Sequence, residues 1–197
     1  MAAEAPFADF IRRIRAGDAA AAVELVRRYE AVVRLEVRVR LSDPRLRRVF
    51  DSLDICQSVM ASFFVRAAAG QYDLEQPNDL VKLLVAMARR KLAFQARKQR
   101  ARRRDHRRLQ AVSPDVLEAA AAEPSPSAEV AGRELLDAFR QRLTDEERQL
   151  AELRAQGRRW DDIAAALGGT AQARRKQLER AVQRVLRQLG LEDDADA

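Results

Sequence analysis

The chain has 197 residues, of which 47% are apolar, 34% charged and 5% aromatic, with a formal net charge of +7. The length suits one mid-sized domain or two small ones, and the apolar share excludes wholesale disorder. A single cysteine, Cys56, and a single histidine, His106, exclude a disulfide framework and a His-rich metal site.

Ala, Leu, Arg and Glu dominate, which predicts an all-α fold. There is no apolar run of about 18 residues, the length that spans a membrane. The first ten residues carry Glu4 and Asp9 and no apolar signal core, so a cytoplasmic protein is expected. Phe7, Phe10, Ile11 and Ile14 predict a short first helix closed by Gly17. Asp18 can cap a second helix, whose stripe of Val26, Tyr29, Val33 and Val37 ends near Ser42-Asp43-Pro44. A third follows Asp51 or Ser52, with Leu53, Cys56, Val59, Met60, Phe63 and Phe64 at helical spacing, and ends at Gly70. Pro77 suits the first turn of a fourth, with Leu80, Leu83, Leu84, Met87, Leu92 and Phe94 on its buried side.

From Leu109 to Val130 the composition changes to alanines broken by Ser113-Pro114 and Glu123-Pro124-Ser125-Pro126-Ser127, which reads as an interdomain linker. A second helical unit follows. Leu135, Leu136 and Phe139 form its first apolar face, and Thr144 with Glu147 makes a capping box for a helix carrying Leu150 and Leu153. Trp160 to Leu167 is a short helix, Gly168-Gly169 a turn, and Thr170 the cap of a last helix with Leu178, Val182, Val185 and Leu189 inside.

The charge is uneven. Residues 1–88 carry +1, Arg89 to Arg108 +10, 109–130 −4, 131–190 +4 and 191–197 −4. Of the 37 basic residues 33 are Arg, whose fork matches phosphate oxygens and stacks on bases. Nucleic acid is therefore the expected partner. A membrane surface would need bulky apolar anchors beneath the charges, which Arg100 to Arg108 lacks. The basic run continues a patterned helix, so it can track a phosphate backbone as a rigid rod.

The short helix, glycine turn and basic helix read as a helix-turn-helix, with Ile163, Ala164 and Leu167 inside. Gln172, Arg175, Lys176, Glu179, Arg180 and Arg184 lie outside. An αα-hairpin with a solvated charged face shares this pattern, and the Arg block elsewhere favours DNA. Catalysis is not expected. Asp161 and Asp162 adjoin on one helix and cannot face each other across a substrate. Cys56 lies on an apolar stripe and Trp160 is placed as a core anchor. No cofactor is expected.

The order of these parts resembles an extracytoplasmic-function (ECF) sigma factor of the sigma-70 family, over roughly Phe7 to Leu189. Arg15 to Tyr29 looks like the family's opening helix, and Asp51 to Phe64 like its polymerase-docking segment. Leu83 to Lys98 looks like the helix that engages the -10 promoter element. Leu167 to Ala181 aligns without gaps to the -35-reading helix-turn-helix. The resemblance implies residues 1–108 as a region 2-like domain, 109–130 as linker, 131–190 as a region 4-like domain and 191–197 as an acidic tail. It implies that Asp54 and Gln57 dock the polymerase β′ clamp and that the C-terminal domain sits on the β flap. Thr170, Gln172, Arg175, Lys176 and Arg180 would contact the -35 duplex. Arg89, Arg90, Lys91, Arg97 and Lys98 would bind backbone near the -10 element. The loop Gln71 to Gln76, with Tyr72, lies near where the family captures an extruded base. Members are often restrained by an anti-sigma factor.

The chain departs from the family at several positions. Ser58 stands where an acid is common, no aromatic stands near Leu83, and the polar residues common near Arg90 and Phe94 are replaced. Arg174 occupies a normally apolar position, either reaching a phosphate or marking a shifted register. The competing classes are a conventional helix-turn-helix regulator acting outside the polymerase, and an RNA-binding or scaffolding protein that uses the Arg block.

Overall fold

A computed structural model describes residues 4–41, 51–106 and 127–192. Among them are eight helices and no strands: α1 (Glu4–Arg15), α2 (Ala19–Arg40), α3 (Ser52–Ala68), α4 (Pro77–His106), α5 (Ser127–Gln141), α6 (Asp145–Ala155), α7 (Trp160–Leu167) and α8 (Ala171–Gln188). The all-α expectation holds. Residues 109–126 of the expected linker lie outside the described residues, and α5 already begins at Ser127, inside the expected linker.

The helix boundaries follow local chemistry. Asp18 caps α2 by accepting from the Ala20 and Ala21 amides at 2.8 and 3.4 Å, and Asp51 caps α3 through the Leu53 amide at 2.9 Å. Each cap satisfies backbone donors that the first helical turn leaves open. Thr144 and Glu147 close the expected capping box at the start of α6, with both reciprocal bonds present.

Two apolar clusters hold the helices. The first joins Phe10 and Ile14 of α1, Leu25, Val33 and Val37 of α2, Phe63 of α3 and Leu84 of α4. In α2 the buried set Ala21, Leu25, Tyr29, Val33, Val37 and the capping Leu41 advances in steps of four, which keeps one face on the core. The second joins Leu150 of α6, Ile163 of α7, and Leu178, Val182 and Leu186 of α8. The short helix α7 packs on α8, and α6 braces α8.

The clusters share helices. Leu136 of α5 enters the first while Phe139, one turn later, enters the second. Val65 and Ala69 at the end of α3 belong to the second. Helix α5 packs on α2 and α3, and α6 packs on α3. The sequence pattern on either side of residue 130 had implied two units with a linker between. The described residues bring those units into direct contact.

That contact is close at Gly70. Its φ is +68°, and a Cβ there would lie 2.8 and 2.9 Å from the carbonyl carbon and oxygen of Arg154. Gly157 shares the left-handed conformation (φ +82°), with nothing within 4 Å of a Cβ. Gly157→Ala should cost only the backbone term, about 1–2 kcal/mol. Gly70→Ala should cost more, by roughly the 1–3 kcal/mol typical of overpacking. Urea unfolding of the two variants checks this; equal losses would contradict the close approach.

Candidate nucleic-acid interface

Helix α8 separates cleanly into two faces. Leu178, Ala181, Val182, Val185 and Leu186 are buried, whereas Gln172, Arg175, Lys176, Glu179 and Arg180 are exposed. Thr170 caps the helix, its Oγ1 accepting from the Ala173 amide at 3.1 Å, and stays exposed. All five residues expected to face the -35 duplex are thus presented to solvent. The turn before α8 runs through Gly168 and Gly169 at φ +78° and +82°, a conformation that glycine adopts at little steric cost.

Arg174 resolves differently from either alternative open in the sequence. It folds back over the turn, and Nε donates to the Gly168 carbonyl at 2.8 Å while Nη2 donates to the Leu167 carbonyl. Its Nη1 meets Glu146 of α6 and Gln177. One guanidinium therefore satisfies the last carbonyls of α7 and ties the turn to α6. Arg184, expected on the outer face, likewise turns to Glu147 and to the Arg142 carbonyl at 3.1 Å. Both arginines stiffen the frame on which Arg175, Lys176 and Arg180 stand.

On α4, Arg89, Arg90, Arg97 and Lys98 are exposed. Arg89 donates to Glu36 of α2 at 2.7 Å. Together with Arg40 it holds the Glu36 carboxyl below its ordinary range. Lys98 lies over the Phe94 ring at 5.6 Å. Lys91 does not share this exposure. It is 2% exposed, and its Nζ donates to the Glu192 carbonyl at 2.6 Å. The reason is helical register, because Leu80, Leu84, Met87 and Lys91 form one buried stripe. That stripe was visible in the sequence, but the basic run drew Lys91 into the outward set. His106 closes α4, and side chains 100–106 lie outside the described residues.

Asp54 and Gln57 are exposed three residues apart on α3, on one face. Beside them Cys56 points inward, with Sγ 3.8 Å from the Glu30 carbonyl, and burial pushes its thiol up to about 12. It is an inert core residue, as its place on the apolar stripe suggested. Phe63 and Phe64 are core as well. Trp160 is half-buried under Arg154, whose guanidinium lies 5.2 Å from the ring centre. Among the described residues no cluster of His, Cys, Asp and Glu is placed to hold a metal.

The loop before α4 is built rather than slack. Tyr72 stacks on Phe63 with centroids 5.7 Å apart, and its carbonyl accepts from Arg15 at 2.7 Å. Asp73 accepts from Arg154 of α6 through both oxygens, at 2.7 and 2.5 Å. Sequence reading passed over Arg154. The available signal was its position four residues after buried Leu150, on the inward face of α6.

The family model described as ECF sigma factor matches residues 4–190, nearly the whole chain. The chain therefore belongs to the ECF sigma factor family. It is a sigma-70-type, DNA-binding subunit of transcription initiation, and the family is not an enzyme class. Searches of curated proteins and of solved structures return no significant match. No helix among the described residues is long and apolar enough to cross a membrane.

The Arg174 pair gives a pH test. Its ion pair and hydrogen bond hold the Glu146 carboxyl below the ordinary 4.5. A depressed folded-state value means that the contribution is present at neutral pH and fades as pH falls through that value. Glu146→Gln should therefore melt below the native chain at pH 7, and the difference should shrink as pH falls below the ordinary carboxylate range. A gap that persists in acid would assign the effect to packing instead.

Proposed function

We propose that this sigma factor recognises promoters with two surfaces on two helical units. The α7–turn–α8 pair is a helix-turn-helix that reads the -35 duplex, and α4 engages the -10 element. The observation that carries this reading is the divided face of α8. A row of Gln172, Arg175, Lys176 and Arg180 faces solvent on a helix whose other side is locked into the second core. Residues 131–190, with α5 starting somewhat earlier, form the unit that would rest on the polymerase β flap.

Arg forks on such a helix can pair with guanine in the major groove, and the remaining cations set affinity through phosphates. Thr170 and the open amides of the first turn of α8 suit a phosphate at the groove edge. Along α4, Arg89, Arg90, Arg97 and Lys98 form the electrostatic track for backbone near the -10 element, where the opened strand needs a basic groove. Asp54 and Gln57, on an exposed face away from both tracks in sequence, are assigned to the β′ clamp. This reading carries with it a cytoplasmic location and leaves room for an anti-sigma partner.

Replacing Arg175 and Lys176 together with Ala should lower -35-dependent transcription at least tenfold, as expected for contacts worth about 1–3 kcal/mol each. It should also flatten the salt dependence of DNA binding while leaving core binding intact. Transcription that is unchanged from a mapped promoter would displace the recognition helix from α8. Asp54→Ala should reduce co-purification with core polymerase several-fold; equal recovery would remove α3 as the docking face.

A further inference from the structure

Between the two helical units lies a cleft of about 360 Å³, a size suited to a small ligand. Its charged lining is unbalanced. Arg66 of α3, Arg90 of α4, Arg154 of α6 and Arg175 of α8 face it, against the carboxylates of Asp73 and Glu179. Four cations against two anions leave an excess of two positive charges.

The excess is built into the walls. Arg66 and Arg154 are only 7% and 8% exposed, so two of the four cations stand largely out of bulk water. Neutral amides seat Arg66. Gln71 accepts from its Nη1 at 3.4 Å, and the Gln183 oxygen, turned toward it, accepts from Nη2 at 3.1 Å and from Nη1 at 3.2 Å. Arg154 spends its Nη groups on Asp73 and on the Arg158 carbonyl, while its buried Nε–H finds no acceptor among the described residues. Asp73 also accepts from Arg15 at 3.3 Å, so one carboxylate is divided between two guanidiniums. Cations held in this way are stabilised by a further anion.

The lining also carries ring surface from both units. Tyr72 is backed by the stacked ring of Phe63, and half-buried Trp160 opens α7. Aromatic rings stack on nucleobases, and Arg forks take phosphate oxygens.

We propose that this cleft binds a nucleoside monophosphate, with its phosphate on the arginines and its base against Trp160 and Tyr72. A phosphate monoester carries about −1.5 to −2 at neutral pH, which meets the excess of two positive charges. A bare anion would leave the ring surface unused. The proposal goes beyond promoter recognition and does not rest on it, although Arg90 and Arg175 would serve both.

The test uses the full chain without polymerase or promoter. Equilibrium dialysis measures bound AMP, and emission from Trp160, the chain's only tryptophan, reports on the cleft. One AMP should bind per chain, with a saturable change in emission. Arg175→Gln should weaken binding about tenfold, the loss expected for a bond to a charged group. Lys176→Gln, its neighbour outside the lining, should leave binding nearly unchanged. Glu179→Gln removes one of the two opposing charges and should tighten it several-fold. All three side chains are exposed, so folding is not at stake.

No saturable binding at millimolar AMP overturns the proposal. So do equal losses in the Arg175 and Lys176 variants, which would show general attraction to α8. Adenosine binding as tightly as AMP removes the anion from the recognition, and inorganic phosphate binding as tightly removes the base; either result overturns it. A single-stranded trinucleotide held tighter than AMP by the same residues would assign the cleft to a DNA strand instead. Transcription from a mapped promoter is scored separately, so failure of the promoter reading leaves this result standing.

Discussion

Helix α3 is enclosed on nearly every side from Val59 to Ala69, and the remaining helices are placed by what they bury against it. Phe63 and Phe64 face the first cluster, while Val65 and Ala69 face the second. A helix apolar all round can be stable only between layers. Its polar members therefore need partners, and Ser62 finds one in the Leu191 carbonyl. Burying one such large side chain contributes about 1.5–3 kcal/mol. This demand for cover on both faces draws α5 and α6 onto the N-terminal helices. By contrast, α2 leaves Val32, Leu35 and Val39 exposed along its outer side, where no other helix among the described residues covers them.

Among the described residues the arginines divide into two kinds of work. Arg154, Arg174 and Arg184 are spent inside the protein on backbone carbonyls and carboxylates. Arg175, Arg180, Arg90 and Arg97 are presented outward. The division matters for a protein that binds an anionic polymer, because only the second kind can release counterions. Net charge therefore overstates the DNA-binding surface, and the inward set instead fixes the geometry in which the outward set is held. Arg174 illustrates this, because losing its ties to the Leu167 and Gly168 carbonyls would loosen the turn that aims α8.

The proposed function calls for separate surfaces for polymerase and for two promoter elements. Of the residues assigned to those elements, Arg90 and Arg175 line a shared cleft, together with Arg154 and Asp73.

Sequence alone determined the helices and their caps. Asp18, Asp51, Thr144 and Thr170 stop and start helices through bonds to amides two or three residues away. The apolar stripes of α1, α2 and α8, the outward row on α8 and the core role of Cys56 were legible for the same reason: helical periodicity is a short-range property. The fates of Lys91, Arg154 and Arg174 were half legible, since register placed each on or beside a buried stripe but could not name its partner. Only the tertiary structure decided those partners. Asp73 lies 81 positions from Arg154 and Glu192 lies 101 from Lys91, and nothing local links them. They meet because α3 must be covered on both faces, and the helices that cover it carry these charges into contact.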